Sequence, residues 1–184
     1  MDPLANRRKS HIEPGGIYFW TATINKWQQL LLQDDFKDII IDSLSHLSKK
    51  GKIDVFAFVI MPNHIHLIWR VNENNGKESS SASFLKHTAH AFKKKLKRGQ
   101  PNELMNYAVK ATNKQFEFWQ RDSLAVRLFS GDIAFQKLDY IHANPVSGRW
   151  QLVKDYCDYK YSTAKYYELG IKEFDFIQDI REEY

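Results

Sequence analysis

The stretch Met61-Pro62-Asn63-His64-Ile65-His66-Leu67-Ile68-Trp69 constrains this chain most. A run of apolar and β-branched residues reads as a strand. On a strand, residues two apart share a face. His64 and His66 therefore project side by side, with Ile65 and Leu67 on the opposite face. Two adjacent imidazoles are a ready pair of metal ligands. The plain alternative is a core strand that happens to carry two histidines. One histidine would favour that alternative; two on one face, just after a Met-Pro-Asn turn, favour a metal.

The order of elements around this strand follows from pattern. Ile17–Ile24 is aromatic and β-branched and reads as strand one. Asp34 or Asp35 can cap a helix to about Lys50, with Phe36, Ile40, Leu44 and Leu47 at helical spacing. Ile53–Ile60 is apolar on both faces and reads as a doubly covered strand two. His64–Val71 is its hairpin partner. Residues 72–83 are polar and Gly/Ser-rich and read as a loop. Ala82–Lys97 reads as the second helix, with Phe84, Thr88, Phe92 and Leu96 inward. Residues 101–113 are ambiguous. Gln115–Gln120 alternates and reads as strand four, and Asp132–His142 reads as the third helix. Asn144-Pro145 should end that helix, because proline disfavours the α region in the residue before it.

This order matches a split βαβ arrangement. The expected fold class is α+β: a ferredoxin-like βαββαβ antiparallel sheet, helices on one face, and one additional C-terminal helix. Strands one and three lie centrally in such a sheet, so the histidines would sit on a rigid platform. The expected division is a basic arm over 1–14 carrying Arg7, Arg8 and Lys9, one domain over 15–167, and an acidic tail over 168–184.

Leu138-Asp139-Tyr140-Ile141-His142-Ala143-Asn144-Pro145-Val146 is the second informative stretch. Gln136, Tyr140 and Asn144 are four apart and share one helix stripe, away from Leu138 and Ile141. A tyrosine beside a metal can act as a nucleophile. An amide oxygen one turn on can complete the coordination of a hard cation. Spacing alone equally allows a surface tyrosine and a helix-capping asparagine.

Charge narrows the partners. The chain of 184 residues has a formal net charge of +5, which favours an acidic partner such as nucleic acid. Lys86, Lys93, Lys94, Lys95, Lys97 and Arg98 make the second helix basic without an acidic residue among them. That is either a solvated face or a phosphate-binding one. With Cys157 as the single cysteine, neither an intrachain disulfide nor a cysteine-based zinc site can form. Met1–Pro14 does not read as a signal peptide, and no apolar run reaches membrane-spanning length, so a cytoplasmic protein without a membrane partner is expected.

Met-Pro-Asn-His-Ile-His-Leu-Ile at 61–68 and Asp-Tyr-Ile-His-Ala-Asn-Pro-Val at 139–146 together resemble the REP-associated tyrosine transposases, within the wider group of single-tyrosine HUH nucleases. Phe118-Trp119-Gln120 and Asp158–Ala164 are similar to that family too, so the likeness spans roughly 15–167. The resemblance implies His64 and His66 as metal ligands, Tyr140 as nucleophile and Asn144 as third ligand. It implies Mg²⁺ or Mn²⁺ as cofactor, and single-stranded DNA with hairpins as partner, bound by a monomer or homodimer. The expected activity is a metal-dependent single-strand endonuclease and strand transferase with a 5′-phosphotyrosine intermediate. Lys86, Lys93, Lys94, Lys97 and Arg98 are the candidates to track the DNA backbone. His142 falls on another helix face and is not assigned to the metal. The competing reading is a non-catalytic nucleic-acid module with an RNA-recognition-like sheet, which has no need of a histidine pair. A zinc hydrolase would need a further histidine or carboxylate near that pair.

Overall fold

A computed structural model describes residues 12–121 and 123–184. Strand β1 (Ile17–Thr23) leads through two 3-10 turns to α1 (Asp34–Lys49), then to β2 (Ile53–Met61) and β3 (His64–Val71). Helix α2 (Ser80–Gly99) and the single turn α3 (Pro101–Leu104) precede a small hairpin of β4 (Ala108–Ala111) and β5 (Lys114–Phe116). Strand β6 (Leu124–Arg127), α4 (Gly131–Ala143) and α5 (Ala164–Leu169) complete the order.

The main sheet runs β2-β3-β1-β6, antiparallel throughout. β1 and β3 are thus the central strands, as the split βαβ reading requires. Alternation divides the sheet into two apolar faces. Trp20, Ile65, Leu67 and Trp69 meet Phe36, Ile40 and Leu44 of α1 and Phe84 and Phe92 of α2. Phe19, Ala57, Val59 and Ile68 meet Ala134, Leu138 and Ile141 of α4. Helices α1 and α2 therefore share one face, and α4 covers the other together with Leu128, Tyr167 of α5 and Ile180. The acidic residues Asp34 and Asp35 stand in the first turn of α1, where the helix dipole favours them.

The fourth strand is not where alternation placed it. Gln115 and Phe116 belong to β5, which pairs with β4 in a separate two-stranded sheet. The chain then runs beside the end of β1, where Asn25 N–H donates to Phe118 O and Gln120 N–H donates to Thr23 O. Phe118 and Trp119 turn into the core, and β6 takes the fourth position opposite Tyr18–Thr21. β6 escaped sequence reading because it is short and mostly exposed, so it has no alternating burial to leave a signal. The second helix also starts earlier than expected, at Ser80, because the Ser79 hydroxyl accepts from Ala82 N–H and caps it.

The end of α4 bears on the site: the helix stops at Ala143, as the Asn144-Pro145 pair predicts. Asn144 keeps right-handed helical angles (φ −53°, ψ −46°) although Pro145 follows. The chain continues as a 3-10 turn, Asn144–Val146, whose start tolerates a residue without an N–H. The Tyr140–Asn144 stripe is therefore unbroken.

The acidic segment 168–184 lies against the domain. Gln178 N–H donates to Val55 O, Ile177 and Ile180 are buried, and Arg70 bridges Asp54 and Glu183. With Ile60 N–H donating to Tyr161 O, the outer edge of β2 is covered, which removes a site for unwanted strand pairing. The basic residues Arg7, Arg8 and Lys9 lie outside the described residues. No helix among the described residues is long and apolar enough to cross a membrane.

Candidate active site

The turn before His64 is pinned from outside. Ile24 N–H donates to Asn63 O and Leu31 N–H donates to Pro62 O. Asn63 is buried, and its side-chain amide donates to Trp27 O while its Oδ1 accepts from His64 Nδ1 at 2.7 Å. Because Oδ1 can only accept, this bond puts the His64 proton on Nδ1 and leaves Nε2 as a lone pair.

His66 is held in a similar way. Thr21 stands opposite it in the β1–β3 register, and Thr21 Oγ1 bonds His66 Nδ1 at 2.7 Å. The Phe19 ring stacks on the imidazole at 5.2 Å. His66 is only 6% exposed, and its Nε2 is a buried atom with no hydrogen-bond partner among the described residues. Buried polar atoms are seldom left so, and an orphan aimed beside a second imidazole is what a ligand position requires. The two histidine rings lie 4.7 Å apart. Burial depresses the His64 pKa to about 4, with the positive charge of Arg149 adding to it and the Asn144 side chain opposing it. Burial likewise depresses His66 to about 3, with His64 and Lys137 contributing. Both rings are therefore neutral near pH 7, the form that binds metal.

Helix α4 brings the second motif to this place. The Tyr140 ring meets His66 edge-on at 5.3 Å and Phe19 at 5.9 Å. Tyr140 is nevertheless 50% exposed, so its ring is accessible from solvent. One turn on, Asn144 is buried to 9% exposure and its Nδ2 donates to Tyr140 O at 2.8 Å. That bond leaves Oδ1 available as an acceptor, and the Asn144 side chain opposes the lowering of the His64 pKa by burial. Among the described residues no three His, Cys, Asp or Glu side chains group as a metal site. His64, His66 and Asn144 fit a divalent ion with borderline preference, and the amide oxygen suits a hard one.

The other candidates separate cleanly. His142 is buried on a different face of α4, bonded to Thr163 Oγ1, and takes no part. Tyr159 and Tyr161, the other tyrosines near the motif, are committed elsewhere: Tyr159 OH donates to Ile60 O and Tyr161 OH to Asp38. Burial raises both phenols well above the usual tyrosine range. The basic residues of α2 are on the opposite sheet face from the histidines. Lys94, Lys97 and Arg98 are exposed there, Lys86 pairs with Glu78, and Lys93 lies 5.0 Å over Phe116. With Lys86, Lys93 and Lys114 this side forms a groove of about 890 Å³ between α2 and the β4–β5 hairpin.

Sequence reasoning missed Thr21, Asn63 and Phe19, which orient the histidines. Only the β1–β3 register shows Thr21 as a partner. It also missed Lys137, whose ammonium sits 5.1 Å over Phe19 and 5.7 Å over Tyr140. Lys137 lies one turn before Tyr140, so helical spacing contained that signal.

No family model matches the chain. It is 25% identical over 162 residues to a candidate REP-associated tyrosine transposase of Haemophilus influenzae, covering 83% of each protein. It is 24% identical over 161 residues to the REP-associated tyrosine transposase of Escherichia coli, covering 87% of this chain and 82% of that one. A solved REP-associated tyrosine transposase bound to a REP hairpin superposes with a TM-score of 0.58 and 21% identity, covering 92% of this chain and 90% of that structure. In sequence along most of its length, and in fold, the chain is thus similar to the REP-associated tyrosine transposases, the family its two motifs resemble.

Proposed function

We propose that the protein is a metal-dependent tyrosine transposase acting on single-stranded DNA. One observation carries the reading: the buried, unpartnered Nε2 of His66 lies beside His64, and the exposed Tyr140 ring packs edge-on against it. A purely structural histidine pair has no need of an open tyrosine next to an orphaned nitrogen. The two similar transposases support the same class. The solved neighbour's REP hairpin supports a folded single strand as the partner. A cytoplasmic setting accords with this substrate.

His64, His66 and Asn144 would hold the ion, either Mg²⁺ or Mn²⁺. When bound it supplies Lewis-acid polarisation of the scissile phosphate. The chain's own residues do the rest. Asn63 keeps His64 in the tautomer that offers Nε2, and the Thr21 hydroxyl orients the His66 ring. Tyr140 loses its phenolic proton and attacks phosphorus. The bond to the 3′ oxygen breaks, that oxygen takes a proton, and the products are a 5′-phosphotyrosine and a free 3′-hydroxyl. Because the phosphodiester energy is kept in the new ester, a second 3′-hydroxyl can reverse the step and join a different end. The exposed lysines of α2, with Arg98, would contact flanking DNA on the other side of the sheet, not the nucleotide being cut.

The test is a denaturant-resistant protein–DNA adduct formed in Mn²⁺ on a labelled hairpin oligonucleotide that the wild type cleaves. Tyr140→Phe retains the ring against His66 and Phe19 and removes only an exposed hydroxyl, so stability should change by less than about 0.5 kcal/mol. The adduct should disappear. An adduct of undiminished yield in Tyr140→Phe refutes the assignment.

A further inference from the structure

A groove of about 340 Å³ opens beside Tyr140 and Asn144, and the loop after α4 lines it with Ser147, Arg149 and Trp150, which the reaction above does not use. The Arg149 guanidinium lies 4.9 Å over the Trp150 ring. Trp150 packs its inner side on the α4 core, and its ring is 6.3 Å from that of His64. Arg149 is exposed and makes no ion pair among the described residues.

The loop is built to hold this pair still. Ser147 Oγ donates to Ala143 O, Trp150 N–H donates to Ser147 O, and Leu152 N–H donates to Pro145 O at 2.7 Å. Gly148 takes φ +58° and Gln151 takes φ +39°. Glycine adopts that region freely; glutamine does so only at a cost, and such strain persists where the surroundings enforce it, often at a binding site.

We infer that Arg149 and Trp150 form a subsite for the nucleotide adjoining the scissile phosphate. The base stacks on the guanidinium–indole platform, and Arg149 neutralises the neighbouring phosphate. A free cation backed by an aromatic ring is the standard chemistry for holding an unpaired nucleotide, and it tolerates any base because every base has a π face. Acidic peptides, the other ligand for such a cation, have no use for the stacking surface. The subsite rests on the single-stranded DNA reading proposed above, but its test needs neither metal nor cleavage.

The probe is a 20-nucleotide oligothymidylate in which every base is 5-iodouracil, crosslinked by ultraviolet light to the full chain in EDTA and mapped by peptide mass spectrometry. The peptide containing Trp150 should be a principal adduct. Arg149→Ala should lower that adduct about tenfold while leaving adducts elsewhere and the melting temperature unchanged. Arg149→Lys, which keeps charge without the plane, should remain close to the alanine variant. Crosslinks confined to α2 and the β4–β5 hairpin would overturn the subsite alone. Wild-type yield in Arg149→Lys would overturn the stacking platform. No crosslink anywhere would overturn both the subsite and the single-stranded DNA reading beneath it.

Discussion

Thr21→Val removes one hydroxyl and almost no volume, and it isolates how His66 is prepared for a metal. Thr21 stands opposite His66, and its hydroxyl is the partner given to Nδ1, at 2.7 Å. Valine leaves that nitrogen without a partner in a residue only 6% exposed. An unsatisfied buried polar group costs about 1–3 kcal/mol, so the variant should unfold more easily by that amount. The effect on the ion is separate. Losing the outer hydrogen bond of a ligating histidine lowers affinity roughly 10- to 100-fold, or about 1.4 to 2.7 kcal/mol. Titration calorimetry with Mn²⁺, on wild type, Thr21→Val and Thr21→Ser, measures it directly. Serine keeps the hydroxyl and should bind within about threefold of wild type, since only the Nδ1 bond governs the ring. If Thr21→Val binds Mn²⁺ as tightly as wild type while remaining folded, Nε2 of His66 is not the ligand that the geometry describes.

Replacing Lys93, Lys94 and Lys97 with Gln should flatten the log–log salt dependence of DNA binding by about 0.7 for each phosphate that α2 no longer neutralises; an unchanged slope makes α2 a solvated face. Acid should destabilise the fold below its neutral optimum. His142 is held near pKa 4 by burial against an ordinary 6.5, so in that window the unfolded chain carries the extra proton. Stability therefore rises with pH between the two values and is lost as pH falls, by at most about 3 kcal/mol for this residue. His142→Gln, followed by urea titration from pH 7 to pH 4, should remove that share of the pH dependence, and an identical profile would refute it. Tyr161→Phe should cost about 1 kcal/mol through its lost bond to Asp38 and leave adduct formation intact; loss of the adduct in a folded variant would bring Tyr161 back as a nucleophile.

Most of the frame was legible because it depends on local period. A two-residue repeat puts His64 and His66 on one strand face, and a four-residue step puts Tyr140 and Asn144 on one helix stripe. The βαββ order and the central place of β3 follow from apolar runs long enough to show their period. β6 was not legible: its four residues bury little, and what selects it is hydrogen bonding to β1, more than a hundred residues earlier in the chain. The helical state of Asn144 was not legible either, since the rule for a residue before proline is a tendency that one 3-10 turn can override.

Sequence alone determined which side chains could do the chemistry and which neighbours share their faces. It could not decide that α4 crosses the same sheet face as the histidines while the lysines of α2 occupy the other. That choice is made by matching Phe19, Val59 and Ile68 to Ala134, Leu138 and Ile141, and Trp20 and Trp69 to Phe84 and Phe92. Nor could it pair Thr21 with His66, 45 residues apart, or set Trp150 beside His64. Periodicity is a property of one segment, whereas register and packing are settled between segments, by which apolar surfaces exclude water together. The tautomer of a histidine and the wall of a groove belong to the second kind.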